Sequence, residues 1–316
     1  MKRLLKALSF CFVLFISTTS CPQNLRFEHL GTKDGLSQSN VNCIFQDSRG
    51  FIWVATRAGL NRYDGYNFII YHYDAKDTSC LSDDFVVDIA EDDSGNLWLA
   101  TKNGLNKFHR NTSTFTHYFH DEHNSNSISD NMLNKLVFDK DGNLWIATQL
   151  NGLDCFNIQQ KRFKHFRSSI GDENSISDNS IRTVFCDSKN RIWAGTFNGG
   201  LNCFNRENES FEKFVIKDDA GKLVGENIPC IFEDRNKQLW IGTQLDGLFL
   251  FDSEKKTFQS FKSSSKNANS LSSNTIFSMG EDTTGNLWIG TENGGLCIMD
   301  RKTKQIQRYL HDDIDQ

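Results

Sequence analysis

The chain has 316 residues, 38% of them hydrophobic and 12% aromatic, with 26 Phe, 22 Gly and only 2 Pro. That length suits one large or two ordinary domains, and the aromatic content excludes a disordered chain. A net charge of −5 and a pI near 5.9 leave no basic footprint, so nucleic acid is excluded as an expected partner.

In chain order, the first feature is a leader over residues 1–20. Lys2, Arg3 and Lys6 form a basic start, and Ala7–Ile16 is an apolar run too short to span a membrane, so this segment predicts an export signal. Cys21 is a candidate lipid-attachment cysteine, although Thr18 stands where a lipobox has Leu. The mature chain is therefore expected to be periplasmic, with an outer-membrane lipoprotein as the alternative. It would touch membrane only through a lipid on Cys21.

A repeat of about 47 residues fills the rest. Trp53, Trp98, Trp145, Trp193, Trp240 and Trp288 are every Trp in the chain, spaced by 45, 47, 48, 47 and 48 residues. Six residues before each stands an Asp: Asp47, Asp92, Asp139, Asp187, Asp234 and Asp282. Three residues after each stands a Thr, and a Gly-Leu pair follows. Each unit predicts four short strands, A to D. In the fourth repeat these are Ser180–Asp187, Arg191–Thr196, Gly200–Asn205 and Phe211–Val215. The A–B links (DDSGN, DKDGN) are tight hairpins that need a residue at positive φ, and Lys237 is the awkward occupant in repeat five. Ser/Asn/Asp-rich D–A segments read as solvent loops. Units of this kind are the blades of an all-β protein, a β-propeller, over residues 25–311. The repeats fall at about 31–74, 75–120, 121–167, 168–215, 216–262 and 263–311. Strand B is almost continuously apolar because a blade is covered on both faces, and Pro229 fits an edge strand lining the channel.

Leu25–Leu30 (LRFEHL) matches the D strands RFKHF and SFEKF, giving one more D-type strand than complete units. Two expectations follow: an incomplete seven-bladed ring from a truncated chain, or a six-bladed ring with a surplus strand.

The unit DxxGNLWIGTxxGGLxxFD, preceded by LSxN and followed by an FxxF strand, resembles the two-component regulator propeller repeat. The resemblance covers Leu25 to Leu310. It implies the exported sensor region of a hybrid two-component system of the Bacteroidetes type, working in signal transduction and phosphorelay. Members continue into a second propeller, a β-sandwich, a transmembrane helix and a histidine kinase, so the expectation for this sequence is a sensing part without its own output part. The resemblance further implies an oligosaccharide cue, a further propeller or sensor subunit as partner, and a homodimer.

The remaining motifs carry scaffold rather than chemistry. GTENGG lies between strands, without the helix or Lys-Ser/Thr that a phosphate loop needs, so no nucleotide cofactor is expected. His117, His120 and His123 read as rim histidines, and no metal is expected. Cys43 with Cys230, and Cys155 with Cys203, occupy repeated slots and read as packing residues; the odd set of seven after the leader is a poor disulfide framework. No catalytic residue is assigned. A ligand site is expected where repeats differ at the channel mouth: Asn42, Arg57, Lys102, Asn134, Gln149, Arg182, Phe197, Gln244 and Glu292, a mixture suited to polyhydroxylated, also anionic, ligands. The competing expectation is a glycan lyase or hydrolase drawing on Asp88, Glu226, Asp246 and Glu292.

Overall fold

Each Trp repeat folds as one antiparallel sheet whose strands A to D lie side by side in chain order. The structure, a computed structural model, describes residues 25, 27–218 and 221–310. The expected export signal and Cys21 lie outside them. Blade one comprises Val41–Gln46, Ile52–Thr56, Gly59–Tyr63 and Phe68–Tyr71, and blade two Val86–Glu91, Leu97–Thr101, Gly104–His109 and Thr114–Tyr118. Blade three comprises Leu133–Phe138, Asn143–Thr148, Leu153–Asn157 and Arg162–Phe166, and blade four Ile181–Cys186, Ile192–Thr196, Leu201–Asn205 and Ser210–Phe214. Blade five comprises Cys230–Glu233, Leu239–Gly242, Leu248–Asp252 and Thr257–Phe261, and blade six Ile276–Glu281, Leu287–Thr291, Leu296–Met299 and Ile306–Tyr309. The six sheets form a six-bladed β-propeller. The one helical element among the described residues is a short 3-10 turn at Thr32–Asp34.

The Asp-to-Trp spacing has a single cause, visible in every blade. The Asp opens the A–B turn, and one of its oxygens accepts turn N–H groups, as Asp47 Oδ1 does from Arg49 and Phe51 at 3.0 Å. The other oxygen accepts the indole N–H of the Trp two residues beyond that turn, at 2.7 Å for Trp53, 2.8 Å for Trp145 and 3.0 Å for Trp288. Trp can thus be buried with its donor satisfied. Burying one such ring removes about 200 Å² from water, worth about 5 kcal/mol. Burial by itself would raise the carboxyls, but indole and backbone donors outweigh it, helped at Asp47 by Arg110. Asp47, Asp92, Asp139, Asp187 and Asp282 are all held below the ordinary carboxylate range.

Blades meet through apolar clusters, each built on the Trp of one blade and strand A of the next. On the outer rim a second device alternates. Arg110 of blade two reaches Asp47 of blade one at 2.5 Å and Glu91 at 2.7 Å. Arg206 of blade four reaches Asp139 of blade three, and Arg301 of blade six reaches Asp234 of blade five at 2.6 Å. The matching residues of odd blades are Gly65, Ile158 and Ser253, so blades are bolted in pairs.

Three expectations need correction or refinement. Leu25 and Phe27–Leu30 are described, and none of them is in a strand. The residues match a D strand in side-chain pattern, but that pattern alone does not make a ladder, which needs a sheet edge in register. The stretch after blade four is not simple loop: Ile216–Lys217 pairs with Leu223–Val224, and Ile216 and Val224 join the apolar cluster around Trp193. Pro229 sits at the position where the other five A strands carry a register shift, and in blade five the ladder starts two residues later than in the others, at Cys230. Its missing N–H accounts for that difference.

Candidate functional site

The channel mouth is assembled by the start of strand A and the B–C corner of each blade. The corner residue is fixed by its backbone: Lys102 N–H donates to Phe85 O at 3.1 Å, and Gln149 N–H to Met132 O at 2.9 Å. The glycine that follows is pinned to the next blade, as Gly104 N–H donates to Asn131 O at 2.7 Å. At the Gly152 position the backbone is left-handed, with φ 88°, and a Cβ would lie 2.2 Å from Phe166 O, so only glycine fits.

Five of the nine expected mouth residues come together across blades two to four. Lys102 Nζ donates to Leu133 O at 3.3 Å, Asn134 Oδ1 at 2.9 Å and Gln149 Oε1 at 3.0 Å. Asn134 Nδ2 donates to Ile181 O at 2.7 Å, next to Arg182, whose guanidinium lies 5.7 Å from the exposed Phe197 ring. Burial lowers the proton affinity of Lys102, countered by Asp130 and reinforced by Arg182; burial also lowers that of Arg182. Neither cation is in an ion pair among the described residues. Two half-buried positive groups, amide side chains and the exposed Phe197 ring therefore share one wall.

The other four are separate. Asn42 Nδ2 donates to Val86 O at 2.7 Å, and Arg57 lies 5.1 Å from the Phe85 ring, both joining blade one to blade two. Gln244 Oε1 accepts Asn227 Nδ2 at 2.8 Å in blade five, and Glu292 stands exposed in blade six. Asn42 and Asn134 thus also serve as blade-to-blade stitches, which the sequence did not reveal because their acceptors lie 44 and 47 residues away.

Deeper in the channel is a ring of equivalent A-strand positions: Cys43, Asp88, Lys135, Thr183, Cys230 and Ser278. Lys135 Nζ contacts Asp88 Oδ1 at 2.7 Å, and Leu136 N–H donates to Asp88 Oδ2 at 2.8 Å. Burial opposes charge on Lys135, yet Asp88 outweighs it and raises the ammonium above its ordinary range. Burial first and Asp88 second push the Cys43 thiol up to about 12, and burial pushes Cys230 to about 12. Both are inert thiols rather than nucleophiles.

Asp88 is therefore engaged in an ion pair, and Asp246 Oδ2 accepts Gly225 N–H at 2.8 Å, while Glu226 and Glu292 are exposed. His117 and His120 turn to different backbone carbonyls, Cys80 O at 2.7 Å and Ile128 O at 2.8 Å. Among the described residues no cluster of three His, Cys, Asp or Glu side chains could hold a metal.

Comparison with known proteins follows this geometry. The family model for the two component regulator propeller matches residues 35–58, 80–103, 127–149, 175–198, 222–244 and 270–293. Each match spans the D–A loop to the B–C corner of one blade. Histidine kinase P4 of Formosa agariphila is 44% identical over 69 residues, which are 22% of this chain and 5% of the kinase. The extracellular domain of a hybrid two component system from B. thetaiotaomicron is 27% identical with a TM-score of 0.78, over 90% of this chain and 37% of that one. Virginiamycin B lyase from Staphylococcus aureus has a TM-score of 0.66 at 12% identity, over 87% of this chain and 85% of the lyase, a likeness of fold alone.

Proposed function

This chain belongs to the two-component regulator propeller family, and we propose that it is the exported, ligand-sensing part of a hybrid two-component sensor. The cue is an oligosaccharide bound at the channel mouth, and the output belongs to a kinase in another part of the system. The observation that carries this reading is the wall formed by Lys102, Asn134, Gln149, Arg182 and Phe197. Its cations are in no ion pair among the described residues, its amides bond to Lys102, and the exposed Phe197 ring is one on which a sugar can stack. Such a wall suits hydroxyl-rich ligands and favours those with a carboxylate or sulfate, which a guanidinium binds in a bidentate way.

Signalling through this site requires a difference in affinity between two arrangements of the sensor. A ligand bridging blades two and four would favour one arrangement of a dimer or of a neighbouring propeller over another. No helix among the described residues is long and apolar enough to cross a membrane. The test is a thermal-shift screen of the full chain against neutral and anionic oligosaccharides. At least one anionic oligosaccharide is expected to raise the melting temperature, and Lys102→Ala with Arg182→Ala to abolish that rise. No response across the panel, or a response indifferent to both substitutions, would sink the proposal.

A further inference from the structure

Each blade turns the face that carries its B-strand Trp toward the next blade, and what fills the space beside that ring differs from one interface to the next. On strand C, the residue paired with the Trp is Arg62, Lys107, Cys155, Cys203 and Leu250 in blades one to five. The residue just past strand C of the following blade faces the same space, and in turn it is Arg110, Ile158, Arg206, Ser253 and Arg301. At four of these interfaces at least one of the two is long. Lys107 Nζ lies 5.2 Å from the Trp98 ring, and Arg206 of blade four lies 6.0 Å from the Trp145 ring. Between blades four and five both are short, Cys203 and Ser253, and a cleft of about 830 Å³ is open there. Its size is that of a small-molecule site.

The inner end of the cleft is aromatic. Trp193 lies 5.5 Å from Phe214 and 5.6 Å from Phe251 between ring centroids, and all three line the space. Burial pushes the Cys203 thiol up to about 12, so it stays neutral and adds a small apolar surface. The rim is cationic. Arg191 Nε donates to Asp187 Oδ2 at 2.6 Å, and the guanidinium lies 5.0 Å from the Trp193 ring, which together fix the plane of the fork. Among the described residues its two terminal nitrogens are in no hydrogen bond, and Lys189 is in no ion pair. The other charges lining the cleft are Arg206, held by Asp139 and Asp141, Lys256, held by Glu212, and the exposed Glu207. A bare inorganic anion would leave the aromatic end uncovered, and a neutral ring would leave the guanidinium fork unused. A molecule that joins a flat ring to a carboxylate meets both.

We propose that this cleft is a second binding site, for a small aromatic carboxylate. The ring lies over Cys203 and Phe214, the carboxylate is gripped by the terminal nitrogens of Arg191, and Lys189 adds positive charge at the entrance. The site sits at the A–B and C–D turns, at the opposite end of the strands from the B–C corners of the mouth. It is independent of what the mouth binds.

The test is calorimetric titration of the full chain with indole-3-acetate and phenylacetate, using 3-methylindole and acetate as the ring and the carboxylate alone. At least one of the two aromatic carboxylates is expected to bind saturably with a dissociation constant of about 1 mM or below, and both controls about tenfold or more weakly. Two substitutions close the cleft with side chains that sister blades already carry there: Cys203→Leu, after Leu250, and Ser253→Arg, after Arg206 and Arg301. Each should weaken binding about tenfold or more with the unfolding midpoint retained, and Arg191→Gln should do the same without filling the space. Lys102→Ala with Arg182→Ala should leave this affinity unchanged. No saturable binding of either aromatic carboxylate up to about 10 mM would overturn the proposal. So would equal affinity for 3-methylindole, affinity indifferent to all three cleft substitutions, or loss of binding in the mouth double variant.

Discussion

The outer rim and the channel mouth are built from the same repeats, yet one is uniform and the other is not. At the rim a single carboxylate caps the A–B turn and holds the indole, so six Asp–Trp clasps are the same in all blades. At the mouth the contact common to the B–C corners is a backbone N–H, as Phe197 gives to Ser180 O at 2.9 Å and Glu292 to Thr275 O at 3.0 Å. The side chain there is free to differ, and the series Arg57, Lys102, Gln149, Phe197, Gln244, Glu292 uses that freedom. Residues with two structural tasks are fixed by the fold. Where the backbone meets the task that all blades share, the side chain can vary and serve recognition.

The contrast can be broken first at the rim. Asp47→Ala leaves the Trp53 indole, two turn N–H groups and one branch of the buried Arg110 without their acceptor, and should cost about 2–4 kcal/mol in a denaturant titration. A loss below about 1 kcal/mol would show that the clasp is not what holds the blade. Acid acts on the same groups. Because the folded-state carboxyls are held low, their contribution is complete above the unfolded value near 4 and is lost as pH falls through the folded values. The unfolding midpoint should therefore fall below about pH 4, less steeply in Asp47→Ala. At the mouth, Lys102→Ala should change stability by about 1 kcal/mol or less, since its partners Gln149 and Asn134 are only half-buried. The smallest effect is expected in the A–B turn of blade five. Lys237 holds φ at 64°, so Lys237→Gly should gain about 0.5 kcal/mol, measured as a rise in denaturant midpoint.

Much of the rim was legible in sequence because its parts lie within one repeat. The Asp–Trp pair is six residues apart, and both ends recur six times. The strands of repeat four fall within a residue of their expected limits, Ile181–Cys186 and Ile192–Thr196 among them. What joins blades was not legible. Arg110 finds Asp47 across 63 residues and Lys135 finds Asp88 across 47, and neither residue type belongs to the repeat pattern. Leu25 and Phe27–Leu30 show the converse limit: they carry a strand-like pattern, yet none of them is in a strand. The mouth residues were legible as positions that vary, but which of them converge depends on side-chain reach, as Lys102 shows by crossing from blade two into blade three.

The most direct test of recognition at the mouth is calorimetric titration of the full chain and of Lys102→Ala/Arg182→Ala with the oligosaccharide that scores best in the screen. The account predicts saturable binding to the unaltered chain, weakened about tenfold or more by the double substitution while the unfolding midpoint stays nearly constant. Equal affinity in both proteins would contradict it.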